Sequence, residues 1–94
     1  MIVWTEQAIQ HLGQSYEYIA LSNGETAAAR DADRILANVQ RLARFSLSGR
    51  RGRVEGTREL VVGGTPFIVA YTADEDRITI LAGYHSARQW PEGF

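Results

Sequence analysis

Three β-rich runs separated by turn residues occupy the last third of the chain. They cover residues 56–62, 66–71 and 77–81, and the segments 63–65 and 74–76 between them have the composition of turns. The middle run is apolar at every position from Phe67 to Tyr71, which indicates a central strand with both faces buried. Tyr71 shares one face with Phe67 and Val69, so we expect it in the core. The three runs predict an antiparallel meander.

A strand and a first helix are predicted before the meander. Residues 1–4 are mostly β-branched or aromatic, which favours a short strand. Thr5 can cap a helix because its hydroxyl can accept from an N–H of the first turn, and Glu6 then stands favourably near the helix N-terminus. Asn23-Gly24 supplies a left-handed stop. Between these signals an apolar stripe follows at helical spacing, consisting of Ile9, Leu12, Tyr16 and Ile19.

A second helix is predicted from about Thr26 until the chain reaches residues 46–48. Its start is rich in alanine, so it can pack closely on the first helix as an antiparallel hairpin. Residues 49–53 are predicted to be a loop because they consist of glycine and arginine alone, with no apolar residue. The expected buried face of this helix comprises Ala28, Ala32, Ile35, Leu36, Val39, Leu42 and Ala43.

These elements predict one α+β domain over residues 1–94, in the order β-α-α-β-β-β. The helical hairpin is expected to pack on a mostly antiparallel four-stranded sheet. Without cysteine and with two histidines, the chain offers little for a metal site, and we expect neither a metal nor another cofactor. No apolar run reaches membrane-spanning length and no signal peptide is recognisable, so a cytoplasmic location is expected.

Positive charge is concentrated in one segment although the whole chain has a net charge of −1. All ten basic residues are arginines, and residues 41–58 carry a net charge of +5, leaving −6 for the remainder. A helix end followed by an exposed loop is one explanation of this cluster, because cations stabilise a helix C-terminus. An acidic protein partner explains it equally well, since arginine suits carboxylates. Nucleic acid is the weaker alternative, and we expect the chain alone not to bind it.

The order and spacing of several short motifs resemble the RelE/ParE toxin superfamily of type II toxin–antitoxin modules, with the ParE-like branch the nearest. The resemblance covers nearly the whole chain and depends on four segments: Trp4-Thr5, residues 56–60, residues 66–71 and residues 85–91. It implies a toxin that inhibits DNA gyrase by protein contact and is neutralised by a cognate, ParD-like antitoxin in a hetero-oligomer.

The same superfamily contains RelE-like messenger-RNA endonucleases that act on the ribosome, and this is the alternative activity. Nuclease members carry an arginine on the central strand, but this chain has Ile68 at that position and has no lysine. Loss of such a charge typically lowers the rate by about 10²–10³. The alternative would use Arg58, His85 and Arg88 for catalysis. A third possibility is an inactive relative that only binds an antitoxin.

The expected target contact consists of Arg58 and the polar, aromatic end of the last strand. Successive residues of a strand point to opposite faces, so Tyr84 and His85 are expected to be separated and not to form one catalytic cleft. Trp90 is either packed on the fold or an exposed anchor for a partner. The full set is Arg58, Tyr84, His85, Arg88 and Trp90.

An antitoxin is expected to use the groove of the helical hairpin and an open sheet edge, with an acidic tail matching the arginines. His11 beside the first helical stripe is interpreted as a surface residue. The expected antitoxin contacts are Leu12, Tyr16, Ile35, Arg41, Arg44, Arg50, Arg51 and Arg53.

Overall fold

The computed structural model describes residues 1–86 and contains two helices and five strands. Their bounds are β1 Ile2–Trp4, α1 Glu6–Asn23, α2 Glu25–Arg41, β2 Arg50–Arg51, β3 Arg58–Val61, β4 Phe67–Ala73 and β5 Ile78–His85. The predicted α+β class is confirmed. The prediction of four strands is wrong by one, because residues 50–51, expected in a loop, pair with β3 as a short edge strand.

The sheet has the strand order β1-β5-β4-β3-β2. β1 is parallel to β5 and every other neighbouring pair is antiparallel, as expected for a meander preceded by a strand and two helices. β4 lies at the centre, and its residues from Phe67 to Tyr71 are all buried, in agreement with its unbroken apolar sequence. A turn over residues 63–66 joins β3 to β4, and Thr65 Oγ1 accepts from the N–H of Phe67 at 3.1 Å.

Thr5 caps α1 as predicted and also fixes the helix to the sheet. Its Oγ1 accepts from the N–H of Ala8 at 3.1 Å and donates to the carbonyl of Leu81 at 3.1 Å, while its own N–H donates to Ile80 O at 3.0 Å. The buried face of α1 differs from the predicted stripe. Ala8 and Ile19 are buried, whereas Ile9 is 57% exposed, because the helix turns the face that contains the small alanine toward the sheet.

α2 begins directly after Gly24, which has φ +94°, a conformation that glycine adopts without the strain caused by a Cβ. Ile35 and Val39 lie in the core as predicted, and Leu42 is fully buried at the helix end. Leu36 is 40% exposed and Ala43 is exposed, so the predicted apolar face is too wide. The helix ends at Arg41, earlier than predicted, and turns follow it.

Tyr71 connects the core to the segment between α2 and β2. Its side chain is fully buried, and its hydroxyl donates to Ser46 O and accepts from the N–H of Gly49, both at 2.9 Å. The prediction that Tyr71 belongs to the core is confirmed. The packed core joins both helices to the helix-facing side of the sheet and consists of Ala8, Ile35, Val39, Leu42, Val62, Phe67, Val69, Tyr71, Ile78 and Ile80.

A β-bulge in β5 reverses the faces of its last residues. Tyr71 pairs with Ile80 but Ala70 pairs with Ala82, so Leu81 is an extra residue on β5. Before the bulge Ile78 and Ile80 face the helices. Beyond the bulge the odd-numbered residues of β5 face the helices. His85 therefore lies on the helix-facing side and Tyr84 on the opposite face.

Candidate functional site

The β2–β3 hairpin presents the arginine-rich segment at one edge of the sheet. Arg50 pairs with Glu59 and Arg51 pairs with Arg58 in antiparallel register. The two ends of the connecting loop are joined by a hydrogen bond, in which the N–H of Gly52 donates to Thr57 O at 2.8 Å. The hairpin is therefore an ordered element with arginines on both faces.

On the face away from the helices, Glu59 gathers donors from the hairpin. Its side chain is 2% exposed, and Oε1 accepts from Arg50 Nη2 at 3.0 Å and Nε at 3.2 Å. Oε2 accepts from the backbone N–H of Arg53 at 3.0 Å. A buried carboxylate requires such partners, since leaving it unpaired costs several kcal/mol, on the order of 3–5. Arg50 is therefore committed to the fold of the hairpin.

Tyr84 belongs to the same group of side chains. It is 7% exposed, and burial followed by the nearby carboxylate of Glu59 raises the pKa of its hydroxyl, while Arg53 and Arg50 act in the opposite direction. A side chain this buried offers little surface to a target protein. The structure thus places Tyr84 in a buried polar cluster with Glu59, and its expected role in target contact remains a prediction.

On the helix-facing side, Arg51 and Arg58 stand next to each other. Arg58 is half-buried, and its Nη1 donates to Gly49 O at 2.8 Å and Leu47 O at 3.4 Å, so its guanidinium is held against the preceding loop. Arg51 is exposed. Within residues 1–86 neither arginine has a carboxylate partner, because the ion pair of this hairpin joins Arg50 to Glu59.

Two recesses flank this arginine pair. One, of about 470 Å³, is lined by the hairpin itself, residues 51–58. The other, of about 190 Å³, lies between the end of α2 and β3 and is lined by Asn38, Arg41, Phe45, Ser48 and Leu60. The second recess combines an apolar wall, formed by Phe45 and Leu60, with the cationic side chain of Arg41.

His85 and Arg58, the described members of the alternative catalytic set, are not brought together. His85 pairs with Phe67 on one side of β4, whereas Arg58 pairs with Tyr71 on the other. Four residues along β4 separate these positions, or about 13 Å at the rise of a strand. His85 instead contacts Tyr18 of α1, with ring centroids 6.3 Å apart in an edge-on arrangement. Arg88 and Trp90 lie outside the described residues.

The residues expected to contact an antitoxin are distributed over the helices and the hairpin. Tyr16 is 37% exposed and Arg41 and Arg44 are exposed, so all three are accessible, while Leu12 packs partly against the core. Ile35 is a correction: it is 2% exposed and belongs to the core, because α2 directs it toward the sheet. It cannot contact a partner on the folded protein.

Two polar residues have roles that the sequence interpretation missed. The sequence places Glu59 in a strand motif without a role of its own, whereas the structure buries its carboxylate and pairs it with Arg50, as a buried charge requires. His11, predicted to be a surface residue, is half-buried, and its Nδ1 accepts from the N–H of Gly83 at 3.2 Å. His11 therefore links α1 to β5 just beyond the bulge.

The described part of the chain shows no cluster of histidine, aspartate and glutamate side chains arranged to hold a metal ion. Over the same residues, neither helix is long and apolar enough to cross a membrane. The arrangement provides charged and apolar surface beside an ordered hairpin.

Comparisons with known proteins agree with this fold. A model of the family described as ParE toxin of type II toxin-antitoxin system, parDE, matches residues 2–90. A protein of Sinorhizobium fredii named "Putative toxin Y4kP" is 40% identical over 91 residues, which cover 97% of this chain and 93% of the relative. A solved structure described as the chromosomal ParDE TA system from P. aeruginosa has the same fold, with a TM-score of 0.81 and 24% identity over 89% of this chain and 92% of that one. The chain belongs to the ParE toxin family of type II toxin–antitoxin systems.

Proposed function

We propose that this toxin inhibits DNA gyrase through protein–protein contact and is neutralised by a cognate antitoxin. Family membership supports the general class of activity. The observation that carries the choice of mechanism is the strand register, which keeps Arg58 and His85 on opposite sides of β4 and about 13 Å apart along it. Cleavage of RNA needs a cation and a proton-transfer group at the same phosphate, so this separation disfavours a nuclease.

The central strand supports the same conclusion. Ile68, which occupies the position of the catalytic arginine expected in nuclease relatives, is 7% exposed and pairs with Val61 and Tyr84. No cation is therefore contributed from this position of β4. The accessible charge lies instead on the β2–β3 hairpin and near the end of α2, where protein partners can reach it.

Purified toxin tests the proposal in two assays. We expect it to inhibit supercoiling of a relaxed plasmid by DNA gyrase and to leave messenger RNA intact in a reconstituted translation reaction. His85→Ala is the diagnostic variant for the alternative. Ribosome-dependent cuts that disappear in His85→Ala, with gyrase unaffected by the wild-type protein, would overturn the proposal in favour of a nuclease.

Expression of the toxin in cells tests whether it is active and how it is controlled. We expect growth arrest when the toxin is expressed alone and recovery when the small protein encoded in the adjacent reading frame is co-expressed. Normal growth with folded toxin present would indicate a relative that binds an antitoxin without acting on a target. Recovery should be accompanied by a stable complex of the two proteins in size-exclusion chromatography.

A further inference from the structure

The Arg51–Arg58 pair concentrates positive charge in an ordered position where no carboxylate of residues 1–86 forms an ion pair with it. The two residues lie directly opposite each other in the β2–β3 ladder and share its helix-facing side. Like charges opposite each other in a ladder are destabilising. Within residues 1–86, Arg58 hydrogen-bonds only to carbonyl groups, and Arg51 forms neither an ion pair nor a side-chain hydrogen bond. The fold therefore tolerates repulsion that a bound anion would relieve.

The geometry of Arg58 prepares it for an anion. Its Nη1 is fixed by the carbonyls of Gly49 and Leu47, which leaves Nε and Nη2 without a hydrogen-bond partner among residues 1–86. A guanidinium held in place loses less conformational entropy when it binds, and its planar fork matches the two oxygens of a carboxylate. Arg51, on the exposed edge strand, can approach the same anion from the other side.

Apolar surface adjoins the pair. Leu60 follows Arg58 by two positions on the same face of β3 and forms one wall of the 190 Å³ recess, together with Phe45. Phe45 is 55% exposed and Leu47 is 65% exposed. Arg41 lines the same recess. A partner that places carboxylates on the arginines can therefore insert an apolar side chain a few ångströms away.

We propose that Arg51 and Arg58 form a clamp for the carboxylates of a short acidic peptide segment, with the Phe45–Leu60 recess taking an apolar side chain of the same segment. The origin of the acidic segment rests on the proposed function, because the cognate antitoxin is the partner that would supply it. In this proposal Arg51 and Arg58 bind the carboxylates of the partner. Arg50 stabilises the hairpin instead, since it is bound to Glu59.

The distribution of charge favours a peptide over nucleic acid. Residues outside 41–58 carry a net charge of −6, so a long polyanion that followed the surface would meet repulsion beyond the hairpin. A short acidic segment needs to contact only the positive area. Binding to double-stranded DNA is driven by neutralising many phosphates, for which one pair of arginines is insufficient.

The test measures fluorescence anisotropy of the purified full-length toxin with a labelled peptide of repeating Glu-Glu-Leu triplets. Arg51→Gln is expected to weaken binding about tenfold, the effect of losing one charge-assisted hydrogen-bonded contact. Arg30→Gln is the matched control, because it removes the same charge from an exposed position of α2 and is expected to change affinity less than about twofold. Thermal melting verifies that both variants are folded.

A second pair of measurements separates the apolar recess from the charge. Phe45→Ala is expected to weaken the Glu-Glu-Leu peptide and to leave a Glu-Glu-Ser peptide unchanged. The proposal is overturned if Arg51→Gln and Arg30→Gln weaken binding equally, if a Gln-Gln-Leu peptide binds as well as the acidic one, or if a DNA duplex binds more tightly. Neither gyrase nor cell growth enters these measurements, so their failure is independent of failure in the supercoiling assay.

Discussion

Arg50 lies directly opposite Glu59 in the β2–β3 ladder, and the two side chains form an ion pair in which the carboxylate is 2% exposed and the guanidinium side chain 57% exposed. The asymmetry decides what each mutation does. Without Arg50 the buried carboxylate loses two of the hydrogen bonds that it accepts within residues 1–86 and keeps the one from the backbone N–H of Arg53. Without the charge of Glu59 the guanidinium can still be solvated.

We therefore expect Arg50→Gln to destabilise the toxin more than Glu59→Gln. Uncompensated burial of the carboxylate should cost about 2–3 kcal/mol, below the usual range for a fully buried pair because the arginine is partly exposed. Glu59→Gln should cost about 1 kcal/mol, since its amide oxygen can still accept from Arg53. Urea unfolding at neutral pH measures both, and a larger loss for Glu59→Gln would contradict this account of the pair.

Tyr71→Phe tests the connection between the core and the loop before β2. The substitution removes one hydroxyl and leaves two backbone groups, Ser46 O and Gly49 N–H, without their partner. We expect a loss of about 2–3 kcal/mol in the free energy of unfolding, because Gly49 is buried and its N–H cannot easily reach water. Tyr16→Phe, at a residue 37% exposed, is the control and should change the unfolding free energy by less than about 0.5 kcal/mol.

Two glycines allow opposite effects of the same substitution to be compared. Gly13 lies in α1 with nothing within 4 Å of an added Cβ, so Gly13→Ala should stabilise the toxin by about 0.5–1 kcal/mol. A Cβ on Gly83 would collide with the ring of Phe67. Gly83→Ala should therefore cost about 1–3 kcal/mol through overpacking. Thermal melting measures both, and the interpretation fails if the two substitutions shift the melting temperature in the same direction.

Local signals in the sequence predicted much of the fold, and the misses have a physical explanation. The Thr5 cap and the Asn23-Gly24 stop depend on neighbouring residues, so their sequence was sufficient. β2 could not be predicted, because two arginines without alternation become a strand only through pairing with β3. The bulge at Leu81 was also hidden, since the apolar run from Ile80 to Ala82 does not show which residue is the extra one.

The candidate site was less predictable than the fold because its contacts join distant positions. The arginine cluster was visible from composition. That Arg50 forms an ion pair within the hairpin depends on the burial of Glu59 beside it, which composition does not show. The separation of Tyr84 from His85 followed from strand alternation, whereas which of them faces the helices is decided by the bulge. Burial of Ile35 was predicted from helical spacing, which already conflicts with a role in partner contact.

The hydrogen bond between His11 and Gly83 predicts a dependence of stability on pH. His11 Nδ1 accepts from the N–H of Gly83, which requires that nitrogen to be unprotonated. Burial lowers the pKa of His11 below its ordinary value of 6.5, so the folded protein binds this proton less readily than the unfolded chain. The contribution of His11 is therefore fully present above pH 6.5, and it is lost progressively as the pH falls below that value.

His11→Asn should remove this dependence while keeping an acceptor, because the asparagine Oδ1 takes a place close to that of Nδ1. We expect the urea midpoint of the wild-type toxin to fall more steeply than that of His11→Asn as the pH is lowered from about 7 to 5, a range above the ordinary titration of carboxylates. His85→Asn is the matched control and should retain the part of the slope that His11 contributes. Parallel curves for the wild type and His11→Asn would show that protonation of His11 does not weaken the attachment of α1 to β5.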